Sequence, residues 1–183
     1  MTRLPDLRVA DLNERQRAIY KIIDRGPREF VQGPIRALLL SPDLAENVQS
    51  FGSYVHYGRC FEPRLVELAV LITARAWTCQ YEWYIHAPLA EKNGLSASII
   101  EAIRVRTEPE FEREDEAALY SFSRELLNNH RVSDTTYEQA VRVFGEGSVA
   151  NLVGLLGYFV VLAMTINGFE LGIPPGKSPP LGD

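Results

Sequence analysis

Apolar residues recur along this chain at intervals of three and four, and no stretch alternates apolar with polar for long enough to make a strand. In "DLNERQRAIYKIIDRG" the apolar positions Ile19, Tyr20, Ile22 and Ile23 follow a capping residue, Asp11 or Asn13, and the segment closes at Gly26. "GPIRALLL" starts a short helix with Pro34 in its first turn, "SPDLAENVQSFGSYVHYG" repeats the device with Ser41 and Pro42, and Pro63 opens "PRLVELAVLITARAW". "CQYEWYIHAPLAEKNG" ends on Asn93-Gly94 and carries Pro88 within it. "SASIIEAIRV", "EREDEAALYSFSRELLNNH" and "SDTTYEQAVRVFG" follow, and then an uncharged run from Gly147 to Phe169. The pattern predicts an all-α protein of seven to nine helices.

The uncharged run is long enough to cross a bilayer, but two Asn, a Ser, a Thr and four Gly dilute it and no basic cluster flanks it. It reads as a central helix shared between core and subunit contact. Beyond it, "IPPGKSPPLGD" is expected to run extended over the surface or over a neighbouring subunit. With 183 residues and no internal linker, the chain reads as one domain over 1–183, its chemistry concentrated in 63–104 and a proline-rich tail over 173–183.

Composition narrows the function classes. Apolar residues make up 46% and charged residues 23%, with a net charge of −5 and no cluster of Lys or Arg, which argues against nucleic acid or an anionic membrane as a partner. The opening residues lack the apolar core of a secretory signal, so Cys60 and Cys79 are expected as free thiols in a reducing, cytoplasmic setting.

One constellation carries chemistry. Cys79, Glu82 and His86 are spaced i, i+3, i+7 on one helical stripe, with Glu82 between a thiol and an imidazole about 10 Å apart along the axis. In the preceding segment Glu67 stands on an otherwise apolar face. If the chain bends at Trp77-Thr78, Glu67 lies ten residues before the bend and His86 nine after it, so an antiparallel pair brings them level. Two carboxylates beside His86 would raise its pKa while burial opposes the charge, which suits acid–base work. Cys79 near a helix start would feel the positive end of the dipole, favouring thiolate. The plainer readings are a packed cysteine, an ordinary i, i+4 ion pair and a solvent-facing Glu67. A metal site is not expected: Glu82 to His86 is one residue longer than the Glu-x-x-His of di-iron bundles and occurs once, and His56 and His130 lack matching carboxylates.

With these residues named, "RLVELAVLITARAWTCQYEWYIHAPLAEKNGLSASIIEAI" resembles the carboxymuconolactone decarboxylase family, which includes the AhpD-like alkylhydroperoxidases. The resemblance implies an all-α fold built on a helical hairpin, assembled as a homo-oligomer, a trimer or hexamer. In the peroxidase branch the pattern is Glu, eleven residues, Cys, two residues, Cys, three residues, His. Glu67, Cys79 and His86 match its glutamate, first cysteine and histidine, while Glu82 replaces the second cysteine. Without that resolving thiol a dithiol cycle is not available, and Cys60 is the one other cysteine.

The resemblance therefore implies a cofactor-independent enzyme of the decarboxylase type on a small organic acid or lactone, with His86 as acid–base, Glu67 and Glu82 as its partners, and Cys79 as a pocket group or secondary nucleophile. Arg64 or Arg75 is a candidate for a substrate carboxylate. The alternatives are a one-cysteine peroxidase using Cys79 and an oligomeric binding protein that keeps the pocket without the chemistry. No cofactor, metal, nucleic acid or membrane is expected to take part.

Overall fold

The computed structural model describes residues 2–4, 7–24, 33–58 and 60–182. Among them are nine α-helices, a single 3-10 turn at Val9–Asp11 and no strand: α1 Glu14–Asp24, α2 Gly33–Leu38, α3 Pro42–Val55, α4 Pro63–Ala76, α5 Gln80–Lys92, α6 Ala97–Arg104, α7 Glu114–Asn129, α8 Asp134–Phe144 and α9 Glu146–Phe169. Every helix expected from periodicity is present, and the fold is all-α as expected.

Local chemistry sets the boundaries. At the start of α1, Asn13 rather than Asp11 is the cap. Its Oδ1 accepts from the Gln16 N–H at 2.9 Å while Gln16 Oε1 accepts from the Asn13 N–H at 2.9 Å, a reciprocal capping box. The expected close at Gly26 lies outside the described residues. Pro34, Pro42 and Pro63 all sit in first turns, where the missing N–H has no intrahelical partner to lose. The side chains of Ser96 and Ser133 accept hydrogen bonds from N–H groups of α6 and α8.

α4 is the axis of the molecule. All twelve residues from Arg64 to Arg75 are buried, and α5, α6, α7 and α9 pack around it. A helix covered on all sides reads as nearly continuously apolar, and its few polar residues must find partners inside the protein. Arg64 does so through ion pairs with Glu116 and with Asp115, the latter at 2.7 Å, which tie the first turn of α4 to that of α7. Deeper in α4, the Thr73 hydroxyl donates to the Ala69 carbonyl at 2.8 Å.

The bend between α4 and α5 is a Schellman motif. Thr78 takes the left-handed conformation, φ +45°, its N–H donates to the Arg75 carbonyl at 3.1 Å, and the Cys79 N–H reaches back to the Ala74 carbonyl at 2.7 Å. The chain thus reverses within three residues, at the position expected from the sequence.

α9 is long and apolar enough to cross a membrane by length and composition, and half of its most apolar window is buried here. It packs on α2, α3, α4 and α8, leaving Val153, Val161 and Met164 outward. At Gly52, α3 comes so close to α9 that a Cβ there would overlap the Tyr158 ring. The tail folds back on the chain's own surface: Gln80 clamps Leu181 with two hydrogen bonds of 2.9 Å, and Leu181 is buried.

Truncating Arg64 would strand the buried Glu116 carboxylate, while the partly exposed Asp115 keeps Arg113. Arg64→Ala is expected to cost about 3–5 kcal/mol of unfolding free energy, measured as a lowered urea midpoint at unchanged slope.

Candidate active site

Glu67 comes from the middle of α4, and Glu82 and His86 come from α5, four residues apart on one face. His86 Nδ1 lies 2.7 Å from Glu67 Oε2, and its Nε2 lies 3.2 Å from Glu82 Oε2. All three are buried, with His86 at 8% exposure, Glu67 at 6% and Glu82 at 4%. The hairpin therefore brings together the imidazole and the two carboxylates that the spacing placed level with each other.

Each ring nitrogen lies within ion-pair distance of a carboxylate oxygen, an arrangement that suits the form in which both carry N–H. Burial works against a charge on His86. The hydrogen bonds to Glu67 and Glu82, and their negative charges, outweigh it and raise the pKa from 6.5 to about 9. At neutral pH the ring is thus a cation held between two acids at the wall of a cavity.

That cavity, about 350 Å³, is lined by the triad together with His56, Tyr57, Tyr81 and Phe159 among others. A neighbouring hollow of about 670 Å³ shares His56, Tyr57 and Glu67 with it. Phe159 stands edge-on to both imidazoles, with ring centroids 5.5 Å from His86 and 5.2 Å from His56. The lining is otherwise mostly aromatic and aliphatic.

His56 is the functional candidate that the spacing rules passed over. It caps the C-terminus of α3, and its ring lies 5.9 Å from that of His86. Ligating atoms of His56, Glu67 and His86 all lie within 4.8 Å of one another, and two imidazoles with a carboxylate form a donor set that divalent metals use. Only the "VHYG" setting, a histidine among aromatics at a helix end, hinted at it. The third histidine, His130, is exposed at the left-handed C-cap of α7 and lines neither hollow.

Cys79 departs from expectation. It is the N-cap of α5 but has no exposure and lines neither hollow. Burial pushes its thiol up to about 12, and the nearby Glu82 charge adds to the rise. Hydrogen bonds from the backbone N–H groups of Glu82 and Tyr81 oppose it without prevailing. The thiolate expected from the helix dipole is overturned by desolvation, and Cys79 is a packed thiol rather than a pocket group.

The two arginines considered for a substrate carboxylate do not reach the site. Arg64 is taken up by Glu116 and Asp115. Arg75 lines a different cavity that shares no residue with the one at His86.

No protein-family model matches this chain, and neither does any curated protein. Among solved structures, a protein of unknown function from Agrobacterium tumefaciens, described as a candidate antioxidant defence protein AhpD, matches with a TM-score of 0.67 at 20% identity. The match covers 78% of this chain and 99% of that one. At that identity the likeness establishes the fold, which is AhpD-like.

Two titrations report on the triad directly. The His86 ring resonances are expected to titrate near pH 9, and Glu67→Gln should move that midpoint down by removing one stabilising charge. The linked stability has a definite sign: a histidine raised in the folded state stabilises fully below its unfolded value of 6.5 and loses that contribution as pH rises through about 9. Unfolding midpoints measured between pH 6 and 10 should fall across that window, and less so in Glu67→Gln.

Proposed function

We propose that this protein is a cofactor-independent enzyme of the carboxymuconolactone decarboxylase type, acting on a small lactone or organic acid by proton transfer from His86. The observation that carries this reading is the buried imidazole held at 2.7 and 3.2 Å between Glu67 and Glu82 at the wall of a mainly apolar cavity. Such a group is protonated in the resting protein and gives up its proton to charge that develops on a bound substrate.

In a decarboxylation the bond to the departing carboxyl group breaks and its electron pair passes into a conjugated carbonyl. Carbon dioxide leaves, and the carbon or the conjugated oxygen takes a proton. His86 supplies it through Nε2, whose link to Glu82 is the longer of the two. Glu67 holds Nδ1, fixes the ring plane and stabilises the cation until transfer. Afterwards the neutral ring recovers a proton from water. No arginine or lysine lines this cavity among the described residues. Two resident carboxylates would repel a strongly anionic reacting end, so a substrate whose lactone or keto group faces His86 suits it best.

The antioxidant role in the description of the Agrobacterium protein prompts a second reading of this chain, as a one-cysteine peroxidase using Cys79. That chemistry needs a thiolate open to peroxide, and Cys79 is enclosed with its thiol pushed up to about 12. The outward stripe Val153, Val161 and Met164 on α9 supports the further proposal that the enzyme works as a homo-oligomer.

The deciding experiment is incubation with a panel of lactones, keto acids and hydroperoxides read by mass change. Turnover of a lactone or keto acid is expected. His86→Ala should lower it by about 10²–10⁴-fold without loss of helical circular dichroism, Cys79→Ser should keep most of it, and dialysis against a chelator should leave it intact. Turnover restricted to hydroperoxides, with sulfenylation confined to Cys79, would replace this reading with the peroxidase one.

A further inference from the structure

Beside the hairpin bend, on a part of the molecule with no role in the chemistry above, lies a cavity of about 280 Å³ with basic walls. Arg75 from the last turn of α4, Arg106 just beyond α6 and Arg124 from α7 line it, with Glu108 as the one acid. Arg124 is spoken for: it pairs closely with Glu108 and lies 6.0 Å from the Tyr120 ring centroid. Two cations are left.

Those two share one neutral acceptor. Arg75 Nη1 and Arg106 Nη2 each donate to the Thr78 hydroxyl at 3.3 Å. Arg75 is 6% exposed, and its Nε is buried with no acceptor at all. Burial pushes its pKa down, and the positive charges of Arg106 and Arg104 push it further the same way. A guanidinium withdrawn from water, beside other cations and with a donor unfilled, is costly unless something negative accompanies it.

Offsetting the helix dipole explains basic residues near the ends of α4 and α6. It does not explain why one of them is enclosed with an empty donor, nor why they converge on a common hollow.

We infer that this cavity binds a small oxyanion, a carboxylate or phosphate group, between Arg75 and Arg106. The planar guanidinium fork matches such groups in two-point fashion, and Thr107 and Asn128 give the walls further polar atoms. The volume suits an inorganic ion or a short diacid rather than a large cofactor. Because this cavity shares no lining residue with the one at His86, its occupant is a bound effector or structural anion and not the molecule being transformed.

The test uses the full chain and two probes, inorganic phosphate and succinate, each compared with sodium chloride at matched ionic strength. Thermal unfolding should show a saturable rise in Tm with at least one probe and none with chloride, and the stronger probe identifies the anion class. In Arg106→Gln, an exposed position, calorimetric Kd should weaken at least tenfold while the anion-free Tm stays put. Arg75→Met should abolish the response without lowering the anion-free Tm, since a buried cation with no anionic partner is replaced by an apolar chain. Should Arg75→Met fail to fold, Arg106→Gln decides. Equal rises with chloride, or unchanged binding in Arg106→Gln, overturn the assignment. So does a drop in sedimentation mass in Arg106→Gln, which would mean that an acid from a second copy fills the hollow.

Discussion

The structure turns on the cost of enclosing charge. His86 is removed from water, and alone it would shed its proton. It keeps one because Glu67, on a different helix, meets Nδ1 at 2.7 Å while Glu82 stands on the other side. That contact requires α4 and α5 to run antiparallel in a fixed register, so a three-residue bend and a covered central helix are preconditions of the site. The same constraint governs Arg64, whose enclosed guanidinium is matched by two acids on α7.

Two different titratable groups beside the same carboxylate end in opposite charge states under this cost. Cys79 and His86 both neighbour Glu82, yet one is held neutral and the other charged. For the thiol, the rise from 9.0 to about 12 corresponds to roughly 4 kcal/mol against ionisation, while a helix terminus returns about 0.3–1 kcal/mol. Desolvation wins by magnitude. For the imidazole, two hydrogen-bonded acids reverse the sign.

Much of the architecture was legible because it is local. Proline in first turns, serine and asparagine caps and 3.6-residue periodicity act within a few positions, so helix starts at Pro34, Pro42 and Pro63 read directly from the chain. The Glu67 to His86 pairing was legible too, since a tight hairpin converts residue counting into spatial level. His56 was not: it arrives on α3, whose placement against α9 depends on a close approach at Gly52 that no spacing rule encodes. The fate of Cys79 was missed for a related reason, because its position announces a dipole and says nothing about how completely the surrounding core encloses it. The tail was read as running extended over the surface or over a neighbouring subunit, and the grip of Gln80 on Leu181 was absent from that reading because a long-range pairing has no periodic signature.

Thr78 has two duties that pull against each other. Its dihedral belongs to the region where glycine is most at ease and a β-branched residue least so. Its hydroxyl, meanwhile, receives both guanidinium groups at the basic hollow. Glycine there would relax the turn and strip away that shared acceptor, so backbone comfort and side-chain duty compete at one position. The bend that sets Glu67 level with His86 also ties together two arginines of the second chamber.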